Sequence, residues 1–478
     1  MVLSLDGAAA TTAPQLTPER RAASGKAMRG LVPRSSHAEW EPASDRVDPV
    51  EQQERQGETR VPELVPIRYG RMLVSAFAFF RGAADVMAAD LAGSPTTGLR
   101  AQLCGDAHLS NFGVFASPER ELVFDINDFD ETLPGPWEWD VKRLAASLAI
   151  AGRDRGFGRY DRLRITRAAV REYREAMRRF AAMREIDVWY ARVNAGEVLR
   201  LTRTRLGAKQ ARKLQANVDK AHTKDSLRAF AKLTHVVDGK SRIVSDPPLI
   251  VPIAELLPGV EGEELEAGLR ALIDSYRETL PHDRRLLLER YSHVDAARKV
   301  VGVGSVGTRV WIVLMAGRDG DDPLFLQCKE AGPSVLEPFA GPSDFDNHGE
   351  RVVQGQRLMQ ASSDILLGWL STIGIDGQPR DFYVRQLWDW KRSAEIESMP
   401  PDVLSTYGGL CGWTLARAHA RTGDRIAIAA YLGKGDAFDR AVAKFAERYA
   451  DQSESDYAAL MAAVRSGRVR AEPSPPQP

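Results

Sequence analysis

The chain has 478 residues, with 65 Lys plus Arg against 65 Asp plus Glu and 44% hydrophobic residues. A neutral balance gives no general pull toward nucleic acid or anionic membrane, and the apolar content suits packed cores rather than wholesale disorder. No apolar run approaches the roughly 18 residues that span a bilayer, no basic start leads into an apolar signal core, and Cys104, Cys328 and Cys411 form no CxxC pair. The expectation is a cytoplasmic protein with no membrane span, zinc site or disulfide framework.

Residues 1–60 are rich in Ala, Thr, Pro, Arg and Glu and read as a disordered lead-in, with folded structure predicted from near Pro66. Met72, Leu73, Ala76, Phe77, Phe80, Ala84 and Met87 recur at helical spacing, which predicts one amphipathic helix over 68–92. Strands are predicted at Leu99–Leu103, Gly113–Ala116 and Glu121–Ile126, around the polar block Gly105–Asn111, with a helix at Trp139–Ile150. These form a unit over 66–153. Residues 154–292 read as a largely helical region, with a hairpin at Asp238-Gly239. A β-rich unit follows over 296–391, with strands at Lys299–Val303, Thr308–Met315, Leu324–Lys329, Asp364–Trp369 and Asp381–Leu387 and a helix at Asn347–Ser362. Helices fill 392–467, and a Pro-rich tail covers 468–478. The class is α+β.

The block Gly105-Asp106-Ala107-His108-Leu109-Ser110-Asn111 carries the sharpest chemical signal. Asp106 and Asn111 stand five residues apart, the interval at which kinase catalytic loops hold a base-like Asp and a metal-binding Asn. Phe124-Asp125-Ile126-Asn127-Asp128-Phe129-Asp130 then brings three carboxylates to the end of an apolar strand. Magnesium takes hard oxygen ligands, one or two carboxylates beside substrate phosphates. Asp128 and Asp130 suit this role; Asp125 fits the kinase spacing better, in a poorer context.

This arrangement resembles the aminoglycoside-phosphotransferase branch of the protein-kinase-like superfamily. The resemblance implies Asp106 as catalytic Asp, Asn111 and Asp128 as magnesium ligands, and His108 as a shaper of the loop. It also implies that Asp140, in Trp139-Asp140-Val141-Lys142-Arg143, braces the loop. The Arg that often precedes the Asp in protein kinases is absent; Gly105 stands there.

Gly302-Val303-Gly304-Ser305-Val306-Gly307 is followed by Thr308-Arg309-Val310-Trp311-Ile312-Val313-Leu314, which reads as a strand. A Rossmann fingerprint needs a helix there, so the loop fits a kinase flap over ATP phosphates better. Gly302, Gly304, Ser305 and Gly307 are its candidate contacts. Lys329 ends the next strand and is placed to orient the α- and β-phosphates, with Glu350 as the helical carboxylate that would hold it. Asp381–Trp390 is a candidate adenine-contacting strand and hinge, or a plain core strand.

In an ordinary kinase the glycine loop and Lys precede the catalytic loop; here they follow it. The resemblance therefore implies a circularly permuted, two-lobed kinase-like fold with a helical insertion. The blocks Gly105–Gly113, Phe124–Glu131, Asp140–Ser147, Val301–Thr308, Leu326–Ala331, Arg351–Gln360, Tyr383–Lys391 and Leu415–Arg421 together resemble the bacterial family "domain of unknown function 2252". The expected partners are ATP, Mg2+ and an unidentified small-molecule or protein acceptor. Alternatives are a regulatory nucleotide-binding module, transfer of AMP instead of phosphate, and, from Asp106-Ala107-His108, a metal-dependent phosphoesterase. The basic stretch 200–232 reads as a solvated helix face rather than a nucleic-acid surface, and Arg68, Arg71 and Arg81 as surface charge.

Overall fold

The computed structural model describes residues 16–473, apart from Lys224 and Glu261. Helices α1 (Pro18–Leu31), α2 (Pro49–Glu58), α3 (Val65–Met72), α4 (Ala76–Gly82) and α5 (Ala84–Ala92) lead into strands β1 (Arg100–Leu103), β2 (Phe112–Ala116), β3 (Leu122–Ile126) and β4 (Leu133–Pro136). Then come α6 (Trp137–Asp154), α7 (Arg159–Ala181), α8 (Glu185–Tyr190), β5 (Val193–Asn194), α9 (Ala195–Leu206), α10 (Ala208–His222) and α11 (Ser226–Leu233). The hairpin β6 (Thr234–Val237) and β7 (Lys240–Ile243) precedes β8 (Ile250–Pro252), α12 (Ile253–Leu256), α13 (Gly262–Glu278) and α14 (His282–Leu288). The later third holds β9 (Ser292–Lys299), β10 (Val310–Ala316), β11 (Pro323–Ala331), α15 (Glu337–Ala340), α16 (His348–Met359), β12 (Gly368–Ile373), β13 (Pro379–Gln386) and β14 (Arg392–Ser393). Helices α17 (Pro401–Thr422), α18 (Arg425–Leu432) and α19 (Ala437–Arg465) complete a mixed α+β architecture.

Two antiparallel sheets position the site. One runs β12-β13-β11-β10-β9-β8; the other runs β14-β2-β3-β5. Side chains alternate across a strand, so β11 sends Leu324 and Leu326 to one face, against Tyr276 and Leu280. Phe325, Gln327 and Lys329 share the other face. There Phe325 packs with Ile312, Leu314, Leu64, Ile67 and Leu233. In the helical part, α6 is buried from Trp137 to Gly152, the mark of a helix surrounded on all sides. It packs with α7, α17 and α19 in the largest core.

Several sequence expectations are corrected. Residues 16–60 are not disordered: Asp48 caps α2 through Val50 and Glu51 N–H, and α1 lies along α18. That contact uses Arg29 and Arg34 on the Tyr431 and Leu432 carbonyls and Arg21 on Asp424, rather than an apolar stripe. Residues 1–15 fall outside the described region. The helix expected over 68–92 is three helices, because Ser75 starts a new one by capping Ala78 N–H and Ala83 breaks again. The strand expected at 299–303 ends at Lys299, and that expected at 364–369 begins at Gly368. Asp364 instead pins a turn, accepting from Leu366 N–H and Gln386 N–H.

Gly25 lets α1 approach α18 closely: a Cβ there would stand 2.1 Å from the Ala427 oxygen. Gly25→Leu is expected to cost about 1–3 kcal/mol by overpacking and to expose the arginines of α1 to trypsin. Unchanged resistance to limited proteolysis would count against this docking.

Candidate active site

β1 pairs with β4, placing Leu103 beside Leu133, and the chain then turns through Gly105 at φ 80°. A Cβ at Gly105 would lie 2.3 Å from the Glu131 oxygen, so this position requires glycine. Asp140, in the first turn of α6, accepts from Cys104 N–H (2.8 Å) and Gly105 N–H (3.1 Å). His419 of α17 stands 3.2 Å from the same carboxylate, and its other nitrogen lies 2.9 Å from the Tyr173 hydroxyl. All three side chains are buried. The brace expected of Asp140 is therefore present, and His419 supports it from outside the cleft.

Asp106 receives Arg143 Nε at 2.8 Å. The same guanidinium donates to the Phe80 carbonyl and lies over the Phe80 ring. Asn111 Nδ2 donates to the Asp106 carbonyl (2.8 Å), which leaves Oδ1 as the acceptor atom of its amide. His108 Nδ1 accepts from Ser110 N–H (3.1 Å), so the neutral ring carries its proton on Nε2, 3.5 Å from Asp106 Oδ2. Burial pushes the His108 pKa down to about 4, with Arg81 and Arg143 adding to this and Asp106 opposing it.

The three Asp candidates separate. Asp125 is buried against Arg417 of α17 and accepts from Ile126 and Ala361 N–H. It is structural, which corrects its metal-ligand expectation. Asp130 accepts from Lys329 Nζ at 2.7 and 3.0 Å, from the Tyr383 hydroxyl at 2.6 Å and from Ser305 Oγ at 3.4 Å. Asp128 Oδ1 lies 3.6 Å from Lys329 Nζ and is a buried oxygen without a hydrogen-bond partner. Burial opposes ionisation of Asp128, but Lys329, Arg385 and Lys391 outweigh it and hold the carboxyl below the usual range. Burial likewise disfavours charge on Lys329, and Asp128 and Asp130 reverse that.

The glycine loop is held by its carbonyls. Arg71 donates to Gly302, Arg60 to Gly304 (2.8 Å) and Val306 (2.6 Å), and Val61 N–H to Gly307 (2.8 Å). Arg60, Arg68 and Arg71 are buried, which corrects the surface-charge reading of the latter two. The expected lead-in thus anchors the loop. Between loop and carboxylates lies a cleft of about 710 Å³, lined by Asp106, His108, Asn111, Asp128 and Asp130 on one side and by Gly302, Gly304 and Ser305 on the other. Gly307 faces Arg60 instead.

Glu350 does not reach Lys329. Asn347 caps α16 through Glu350 N–H, and the Glu350 carboxylate accepts from Gln354. The neighbouring Arg351 enters the site, donating to Thr132 (2.7 Å), Asp130 (2.9 Å) and Gly332 (2.8 Å) carbonyls. Glu131, beside it, has its pKa pushed up to about 7 by burial, against Val335 N–H and Arg351. The Asp381–Trp390 stretch is β13 and the turn after it. Trp388 and Trp390 adopt φ 56° and 55°, and Lys232 and His222 of α11 and α10 cover them. Neither ring lines the cleft.

Arg143, Tyr383, Arg351, Arg385 and Lys391 fall within stretches singled out in the sequence, which gave none of them a role of its own. The signal for Tyr383 was period two, since it pairs with Lys329 across the sheet and shares its face with Arg385. Burial pushes the Lys391 pKa well down, and Arg385 adds to this.

Among the described residues no three His, Cys, Asp or Glu side chains gather to hold a metal by themselves. Magnesium does not require that, since phosphates complete its shell. The unpartnered Asp128 oxygen, in the cleft that Asn111 also lines, suits such an ion, whereas a two-metal hydrolase needs a denser ligand set. Among the described residues, no helix is long and apolar enough to cross a membrane. Residues 60–463 match the family described as "Uncharacterized protein conserved in bacteria (DUF2252)". No curated protein and no solved structure matches.

Proposed function

We propose that this chain, which belongs to the bacterial family DUF2252, is an ATP- and magnesium-dependent phosphotransferase with a circularly permuted, kinase-like site. The observation that carries the reading is the meeting of Lys329 with Asp130 (2.7 Å) and Asp128 (3.6 Å) at the edge of one cleft.

In this reading Asp106 accepts the proton of the acceptor hydroxyl as that oxygen bonds to the γ-phosphorus. The β–γ bridging bond breaks and ADP leaves. Arg143 holds one oxygen of Asp106 and leaves the other to the acceptor. Asn111 and Asp128 would hold magnesium, which neutralises charge on the β- and γ-phosphate oxygens. Lys329 exchanges part of its contact with Asp130 for phosphate. Ser305 and the glycine loop close over the γ-phosphate, with the loop carbonyls kept away by Arg60 and Arg71.

The test is thermal stabilisation by ATP with and without magnesium. ATP at ~100 times its dissociation constant should add roughly 2.7 kcal/mol, and the gain should require magnesium. An unshifted melting curve with saturating magnesium and ATP would remove the nucleotide from this site.

A further inference from the structure

Four cations reach the segment Asn127–Asp130: Arg351 donates to the Asp130 carbonyl, and of the other three one is ion-paired there. Lys329 bonds Asp130. Arg385 and Lys391 instead donate to the same acceptor, the Asn127 carbonyl, at 3.3 and 2.9 Å. Arg385 also gives Nε to Gln327 (3.1 Å). Among the described residues neither cation is ion-paired; the ion pairs of this segment are those of Lys329. Both are half-buried, so water reaches them but screens them poorly.

Two like charges that share one carbonyl oxygen repel each other, more strongly as water is withdrawn. A buried cation without a counter-charge is costly. The two contribute complementary chemistry: Arg presents a planar fork that matches two phosphate oxygens, and Lys a compact point charge. Lys329, Arg385 and Lys391 stand against Asp128 and Asp130, with Asp364 also acting on Arg385. Neither lines the main cleft, but Asp128 borders the cleft and also feels both charges.

We propose that Arg385 and Lys391 form an anion site for a polyphosphate, holding the phosphates that lie behind the one to be transferred. Its assignment to the α- and β-phosphates of ATP rests on the function proposed above; the anion site itself does not. The strand β13 and the turn after it thereby serve phosphate rather than the adenine role considered for them.

The test is calorimetric titration of the full chain with magnesium ATP and with magnesium tripolyphosphate. It uses wild type, Arg385→Met, Lys391→Met and the charge-keeping Lys391→Arg. Each Met variant should weaken both ligands by about tenfold or more, and Lys391→Arg should keep most of the affinity. Without ligand, Lys391→Met should melt no lower than wild type, because it relieves crowded charge. Wild-type affinity in both Met variants overturns the anion site, and so does a lower melting point with unchanged affinity. Tripolyphosphate binding that depends on Lys391, with no binding of ATP, keeps the anion site and removes the nucleotide. Binding of neither ligand by wild type removes both.

Discussion

Asp106→Asn is expected to lower basal ADP release, with water as acceptor, by about 10²–10⁴-fold, the usual worth of a positioned acid–base group. Affinity for magnesium ATP should stay within about threefold. The asparagine oxygen can still take the Arg143 bond, and the backbone carbonyl still holds Asn111, so the loop keeps its shape. What is lost is the carboxylate oxygen that Arg143 leaves free, the proton acceptor in the proposed reaction. His108 cannot replace it, since its Nδ1 is occupied by Ser110 N–H and its burial disfavours a second proton. Turnover and affinity measured on the same preparation separate the outcomes. Wild-type turnover with intact binding would take Asp106 out of the chemistry, and loss of both would make it structural.

The parts of the site legible in the sequence are those where chemistry fixes residue type at short range. Asp106 and Asn111 sit on one tight turn, and Asp128 and Asp130 follow an apolar strand, so spacing alone groups them. Lys329 was legible because an apolar strand running into a lysine is uncommon on a solvated edge. Glu350 failed because chain distance says nothing about which side of a helix faces inward. One residue along a helix turns by about 100°, and Arg351 occupies the inward direction. Asp125 failed similarly: its strand position points it at Arg417, nearly three hundred residues later in the chain. The ordered segment from residue 16 was hidden because its contacts are arginine to carbonyl and a glycine against backbone, which leave no apolar period. The basic stretch 200–232 shows the reverse, since charge on α10 and α11 concealed that these helices cover Trp388 and Trp390.

These failures share a cause. Arg351, Arg417 and Arg29 join the early and late thirds as single side chains, with no pattern to repeat. The one element that sequence could join across this chain distance was the lysine–carboxylate pair, and its energetics give the second large effect. Asp130→Ala is expected to destabilise the protein by about 3–5 kcal/mol, because it strips the main counter-charge from a buried cation. Lys329 is 2% exposed, and Asp128 at 3.6 Å is a partial substitute. The Tyr383 hydroxyl and Ser305 would lose their acceptor as well. Adding Lys329→Met to Asp130→Ala should recover much of the loss, since removing both charges leaves no unpaired one. The cycle should therefore show a coupling of about 1–3 kcal/mol, read from chemical unfolding of the four proteins followed by tryptophan fluorescence. Strict additivity of the two single effects would mean that Lys329 and Asp130 do not meet in solution. The cleft at whose edge they meet, with every role assigned to it, would then have no physical basis.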